Sequence, residues 1–325
     1  MSTEKNKKQE HKTVILDAYG VNPGDLSWDF LDKYGEKIVY DRSTNDNAAE
    51  RVGDADIILT NRIKIGGGLL DKCPNVRFVS ALGTGFDMID VSECRKRSVE
   101  VCNVPGYSTS SVAQHAFSLL LALVSDIPGW HAAVRDGLWT GTFDYSGMHF
   151  TELNGKTVGI YGCGTIGTKM AEICGAFGMN VIGYRRNPPK INGKIHFVGR
   201  EELLSRSDFI SLHCPLSDET RGLVDRVFIS KMKDGAYLIN TSRGAVINEN
   251  DLYDALVSGK LAGAALDVMS QEPPDVSNPL LKCEKCIITP HCAWTSREAR
   301  LRLLETIDRN ISSFIETGKG INRVL

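Results

Sequence analysis

Short apolar, β-branched runs recur along the chain, spaced widely enough to leave room for a helix between them. The first four cover residues 12–17 (Lys-Thr-Val-Ile-Leu-Asp), 55–60, 76–81 and 99–103. The stretches between them are polar or amphipathic and of helical length, so the alternation predicts the strands of a parallel α/β sheet. The texture then changes. Residues 111–123 are mostly apolar and free of Gly and Pro, which predicts a buried helix, one that two domains could share. A second α/β series opens at Lys156, with strands predicted over 156–161, 180–184, 208–213, 236–240, 262–266 and 286–289. A charged, amphipathic segment over 296–317 predicts a closing helix. The chain carries no internal repeat, no low-complexity tract and no Pro/Gly/Ser-rich linker.

Composition narrows the classes of partner. With 325 residues and 42% hydrophobic content, the chain is long enough for more than one domain. Its 38 Lys and Arg nearly balance 40 Asp and Glu, a net charge of −2, so no global basic field exists to gather nucleic acid or an anionic membrane. A small-molecule partner is expected instead. The first twelve residues are polar without an apolar core, and the longest apolar run, 116–124, is too short to span a bilayer; a cytoplasmic location is expected. Nine scattered cysteines, an odd number, read as reduced, buried thiols. Cys283 and Cys286 form a lone CxxC, and no metal site is expected. Residues 126–150 place Trp130, Trp139, Phe143 and Tyr145 among Gly and Pro, too aromatic for a solvated linker. Such a segment either packs on its own chain or forms an arm buried against a second subunit; a homodimer is the expectation.

The second series begins with a glycine fingerprint. The run 156–161 leads directly into Gly162-Cys163-Gly164-Thr165-Ile166-Gly167, and residues 168–177 read as a helix. Strand, tight turn and helix are the context in which GxGxxG binds a dinucleotide: the glycines permit the turn and let backbone approach a pyrophosphate facing the helix N-terminus. The next strand, 180–184, ends in Arg185-Arg186-Asn187. NAD enzymes place an acidic residue there for the ribose 2′-hydroxyl. No carboxylate occurs from Tyr184 to Lys194, and two guanidinium groups stand where a 2′-phosphate would lie, so NADP is expected in preference to NAD.

Three later segments put polar residues at the ends of predicted strands: Asn240-Thr241-Ser242-Arg243-Gly244, then Asp267 through Glu272-Pro273, then Thr289-Pro290-His291. Strand carboxyl ends form the ligand crevice of an open parallel sheet. Arg243 can clasp a carboxylate, His291 can pass a proton near neutral pH, and a Glu272 bonded to that His would fix its tautomer and favour its charged form. Singly, each also reads as a core histidine, a helix-end glutamate or a strand-end arginine.

Taken in order, 162–167, Leu212-His213-Cys214-Pro215-Leu216, 240–244, Glu272-Pro273 and 289–291 make the chain resemble the D-isomer-specific 2-hydroxyacid dehydrogenase family over nearly its whole length. The resemblance implies an α/β fold of two doubly wound parallel-sheet (Rossmann-like) domains with the active site in the cleft between them. The substrate domain would comprise 1–107 plus 297–325 and the dinucleotide-binding domain 108–296. It implies Arg243 as carboxylate binder, His291 as general acid–base and Glu272 as its partner. Cofactor contacts would come from Gly162, Gly164, Thr165, Ile166, Gly167, Arg185, Arg186, Cys214, Thr241, Ser242 and Asp267, the last at the nicotinamide end. Leu82, Gly83, Thr84 and Gly85 resemble the family's substrate loop. The segments around Asp17, Trp28, Tyr107 and Trp294 are similar to the glycerate dehydrogenase or hydroxypyruvate reductase branch. The implied reaction is hydride transfer between NAD(P)H and a small 2-keto acid, hydroxypyruvate or glyoxylate, giving D-glycerate or glycolate. Reduction to D-lactate or of branched 2-keto acids, and a nucleotide-sensing corepressor-like module on the same fold, are the alternatives.

Overall fold

The β-branched runs become strands in a computed structural model that describes residues 10–140, 150–187 and 195–324. Contacts divide the chain into two units, with breaks after Ser108 and after Trp294, against the expected 107/108 and 296/297. The first unit holds β1 (His11–Ile15), β2 (Gly35–Val39), β3 (Ile57–Thr60), β4 (Phe78–Ala81) and β5 (Glu100–Cys102), in the order β2-β1-β3-β4-β5. All its strand pairs are parallel. β3 and β4 are buried at every position, as a strand covered on both faces must be, and so read clearly as apolar runs. β2, Gly-Glu-Lys-Ile-Val, is an edge strand with no buried residue, which is why its polar sequence gave no strand signal.

The closing helix, Arg297–Thr317, belongs to this unit. Ser296 caps it by accepting from the Ala299 N–H at 3.2 Å, and Gly318 ends it at φ +75°. Its inner face is buried along its length, and Phe314 meets Phe78 of β4 with ring centroids 4.8 Å apart. Arg300, 8% exposed, is neutralised by both carboxylate oxygens of Asp25 at 2.6 and 2.7 Å.

The second unit holds β6 (Thr157–Tyr161), β7 (Asn180–Tyr184), β8 (His196–Phe197), β9 (Phe209–Leu212), β10 (Ala236–Asn240), β11 (Leu261–Leu266) and β12 (Cys286–Ile288). Their order is β12-β11-β10-β9-β6-β7-β8, again all parallel. The chain runs outward from β6 to one edge and then crosses to β9 on the other side. The β6/β9 junction is thus a topological switch point, where the crevice of a doubly wound sheet opens. One face of this sheet is covered by the helix Thr109–Ser125, which buries Ala116, Phe117, Leu119, Leu120 and Val124 with Met170, Ile239 and Ala265. The other face is covered by a cluster that includes Leu203, Phe228, Leu252 and Leu256.

The helix Ile127–Arg135 has no buried residue. Around it Ile127 is 71%, Trp139 66% and Phe150 68% exposed; Phe143 and Tyr145 lie outside the described residues. Among the described residues no single helix is long and apolar enough to cross a membrane. The helix pair Thr109–Ser125 and Ile127–Arg135, bent by 50°, passes that test only jointly, and the first of the two is a core helix.

Candidate active site

Register brings the polar segments together. In the parallel sheet Asn240 of β10 pairs with Leu266 of β11, and Leu266 pairs with Ile288 of β12. The three strands therefore end side by side at one edge. Arg243 lies just beyond the first, Asp267 and Glu272 beyond the second, His291 beyond the third. Gly244 lets the first two loops touch: a Cβ there would lie 1.9 Å from the carbonyl carbon of Met269. The Met269 N–H donates to Glu272 Oε1 at 3.2 Å, and Glu272 Oε2 lies 2.7 Å from His291 Nδ1. Engaging Nδ1 leaves Nε2 to exchange a proton with a substrate. The pair is about one-third exposed (32% and 31%), so both side chains meet solvent. Arg243 is partly buried on a turn tied by Asn240, which accepts from the Ser242 N–H and hydroxyl and donates to the Arg243 carbonyl.

His291 sits at φ +53°, a left-handed conformation that costs a non-glycine residue about 1–3 kcal/mol. Asp267 holds it there. The Asp267 carbonyl accepts the His291 N–H at 2.8 Å, while its carboxylate accepts the N–H groups of Cys292 and Ala293, each at 2.9 Å. Thr289 adds a hydroxyl at 2.6 Å. Burial alone would raise this carboxyl, which is 1% exposed, but hydrogen bonds from His115, Thr289, Ala293 and Cys292 outweigh it and hold the group below the usual carboxylate range. Asp267 was expected at the nicotinamide end; in the structure both its oxygens are engaged by the loop that carries His291.

The glycine turn is equally constrained. Gly162 is at φ +99°, and a Cβ on it would lie 2.6 Å from the Cys214 nitrogen; one on Gly167 would lie 2.3 Å from the Gly162 oxygen. Gly164, by contrast, has nothing within 4 Å of its Cβ direction. The helix begins at Thr165, earlier than the expected 168, because Gly164 itself is the N-cap. Thr165, Ile166 and Gly167 thus form a first turn whose N–H groups have no intrahelical partner. At the end of β10, the Thr241 hydroxyl is buried without a hydrogen-bond partner. Open backbone at a helix start and an orphaned hydroxyl at the same strand edge fit a dinucleotide. Cys214 is 7% exposed and burial pushes its thiol up to about 11, so it would offer shape rather than a nucleophile.

The two arginines after β7 differ from each other. Arg185 is exposed and reaches the Cys163 carbonyl at 3.4 Å. Arg186 is paired with Glu219, a carboxylate from the loop after β9. In the first unit, residues 82–85 follow β4. The Leu82 N–H donates to Thr60 at 2.7 Å with its side chain buried, and the Thr84 hydroxyl donates to the Val104 carbonyl at 2.9 Å.

The family model for the NAD-binding domain of D-isomer-specific 2-hydroxyacid dehydrogenases matches residues 117–293. A hydroxypyruvate reductase of Blautia hydrogenotrophica is 44% identical over 320 residues, covering 96% of this chain and 99% of that protein. A glyoxylate reductase of Korarchaeum cryptofilum is 38% identical, covering 82% and 81%. Among solved structures, an acyclic imino acid reductase in complex with NADPH and D-Arg aligns with a TM-score of 0.85 at 32% identity, covering 97% and 100%. This chain belongs to the D-isomer-specific 2-hydroxyacid dehydrogenase family. The dehydrogenase is an NAD(P)-dependent oxidoreductase that acts on 2-keto acids, and the two parallel sheets are its Rossmann-like folds.

Two residues near the chemistry escaped the sequence. Glu219 lies 33 positions from Arg186, and only the adjacency of β6 and β9 joins their loops. His115, inside a helix read as apolar, reaches Thr289 at 3.0 Å and Asp267 at 3.4 Å. Thr241 is among the expected cofactor contacts, although the orphaning of its hydroxyl has no signature short of coordinates. Among the described residues, three metal-type side chains gather at His115, Asp267 and Cys292.

Proposed function

We propose that this dehydrogenase reduces hydroxypyruvate to D-glycerate and glyoxylate to glycolate, with NADPH as the preferred donor. The observation that carries the chemistry is the 2.7 Å contact between His291 Nδ1 and Glu272 Oε2 at the ends of two adjacent strands. Arg243 binds the substrate carboxylate through its planar donors, and the polar environment draws electron density from the neighbouring keto group. A reduced nicotinamide, when bound, supplies the hydride. His291 Nε2 gives a proton to the developing alkoxide, and Glu272 stabilises the imidazolium that donates it and fixes its ring. In oxidation the same nitrogen takes the proton. The glycine turn 162–167, with Cys214, Thr241 and Ser242 on the neighbouring loops, would hold the dinucleotide. Substrate identity is supported by the hydroxypyruvate and glyoxylate reductases among the relatives.

The NADPH preference rests on Arg185. Arg186 is already matched by Glu219, so Arg185 would carry the contact to a 2′-phosphate, a charge-assisted bond worth about 1.5–3 kcal/mol. One such bond corresponds to roughly tenfold or more in discrimination. The NADPH-bound imino acid reductase supports the same choice. The exposed apolar side chains of Ile127, Val134, Leu138, Trp139 and Phe150 suit a second copy of the chain, and nine free thiols suit the reducing cytoplasm. The test is kcat/KM for hydroxypyruvate, glyoxylate, pyruvate and a branched 2-keto acid with each cofactor, in wild type and Arg185→Ala. Highest efficiency with pyruvate or the branched acid would overturn the substrate assignment. NADH as good as NADPH in the wild type would overturn the cofactor assignment.

A further inference from the structure

The His115, Asp267 and Cys292 side chains meet beside the catalytic loop, although they come from three separate elements of one unit. His115 is on the helix Thr109–Ser125, Asp267 follows β11 and Cys292 follows β12. Their ligand-type atoms all lie within 4.8 Å of one another. His115 Nε2 is 3.4 Å from Asp267 Oδ1, and Cys292 Sγ is 3.6 Å from the same oxygen. Bond lengths to zinc are about 2.0–2.1 Å for imidazole nitrogen, 2.0–2.2 Å for carboxylate oxygen and 2.3 Å for thiolate sulfur. Tetrahedral angles between such bonds set the N–O edge at about 3.4 Å and the S–O edge at about 3.6 Å. Both of these edges therefore have the separation a tetrahedral ion requires, and the third, from His115 Nε2 to Cys292 Sγ, is within 4.8 Å.

Chemistry and access agree with the geometry. One imidazole, one carboxylate and one thiolate form a mixed N, O, S set that suits a borderline-soft divalent cation rather than Mg2+ or Ca2+. With the imidazole neutral, the two anionic ligands cancel the ion's charge. Asp267 is fixed and buried at 1% exposure, while His115 at 24% and the partly exposed Cys292 give an ion a route from solvent. We propose that His115, Asp267 and Cys292 bind a borderline-soft divalent cation such as Zn2+, and that the ion acts as a reversible brake on the enzyme.

On binding, the Cys292 thiol releases its proton to solvent and a sulfur–metal bond forms. The Thr289 hydroxyl lies 3.0 Å from His115 Nε2 and 2.6 Å from Asp267 Oδ1, in the path of the ion. It gives up those hydrogen bonds, either turning away or taking the fourth coordination place. Thr289 and Cys292 flank His291, so the ion replaces part of the hydrogen-bonded hold on that loop with metal bonds. A small displacement of an acid–base group is enough to slow turnover.

The test uses untagged, metal-free enzyme titrated with Co2+, then Zn2+. One Co2+ per chain is expected, with a near-ultraviolet thiolate-to-cobalt absorption band that Zn2+ abolishes. The band should be lost in Cys292→Ser and in His115→Gln and kept in Cys283→Ser, which separates this site from the CxxC. In the wild type, Zn2+ should slow alkylation of Cys292 as read by peptide mass, a measurement that needs no variant to fold. Zn2+ should lower kcat, and chelation should restore it. A band that persists without Cys292, or alkylation of Cys292 indifferent to Zn2+, would overturn the site. A loaded site with unchanged kcat would overturn the brake.

Discussion

Replacing Asp267 with Asn should uncouple the catalytic loop from the sheet while leaving the glycine turn intact. The side chain keeps its shape and loses its charge. One oxygen can still accept from Cys292 and Thr289, as Oδ1 does at 2.9 and 2.6 Å. The other position becomes an NH2 group that faces the Ala293 N–H, which now reaches Oδ2 at 2.9 Å. One charge-assisted bond is lost, and a buried N–H is left without an acceptor in a place 1% exposed. Losing the bond costs about 1.5–3 kcal/mol, and the orphaned donor takes the total to about 3 kcal/mol. For a unit of this size that is a fall in melting temperature of about 6–12 °C. The loop also loses the clamp that keeps His291 at φ +53°, and misplacement of such a group by 1 Å can cost roughly 10²-fold in turnover. Calorimetry and steady-state kinetics, with dinucleotide binding read by fluorescence, check the three effects together. The sign with pH is fixed as well. The folded carboxyl lies below its unfolded value, so its contribution is present above that value and disappears as the pH falls through the folded one. The gap between wild type and variant should therefore close in acid. A variant with unchanged melting temperature and kcat would refute the anchoring role.

His291→Ala should lower kcat by roughly 10²–10⁴-fold with dinucleotide binding retained, and near-normal turnover would remove it from the reaction. Gly167→Ala should weaken dinucleotide binding, because its Cβ would meet the Gly162 backbone oxygen at 2.3 Å; an unchanged affinity would count against the turn as the binding element. Burial pushes the His213 imidazole down to about 4, so it favours the folded state above its unfolded value of 6.5 and that advantage is lost as pH falls toward 4. The loss is at most about 3 kcal/mol, and His213→Gln should flatten this part of the pH–stability curve; parallel curves would exclude it. Sedimentation of the dilute protein should give a dimer, and a single species near 35.7 kDa would sink the subunit-arm reading of 126–150.

How much was legible depended on where each signal is written. The buried strands were readable because a strand covered on both faces must be apolar throughout, as in Phe209-Ile-Ser-Leu and Ile57-Ile-Leu-Thr. The strands that gave no signal, β2 and the two-residue β8, are edges with one side open, and no apolar run was needed to form them. The helix after the fingerprint was expected three residues late, since a glycine N-cap without a side chain leaves no mark beyond the turn itself. Arg243, Glu272 and His291 were readable for another reason. Each stands just past a strand, and in a parallel sheet that position alone assigns it to the ligand edge.

Partners fixed by pairing of distant loops left no such mark. From Tyr184 to Lys194 the sequence has only basic and neutral residues, and this stretch alone argues for two free guanidinium groups. The sheet then places β9 beside β6, and the loop after β9 brings Glu219 onto Arg186. An ion pair between two largely exposed groups contributes little to stability, about 0–1 kcal/mol, but it does change what the arginine offers a ligand. A phosphate must compete with the carboxylate for Arg186, whereas among the described residues Arg185 meets a carbonyl. Local charge therefore overstates the attraction for a 2′-phosphate by up to one arginine. The same reasoning applies to Asp267: as a motif residue it suggested a ligand contact, and three hydrogen bonds from residues more than twenty positions away also tie it to the loop of His291. In both places the residue type was readable, and its role was set by the partner the fold delivered.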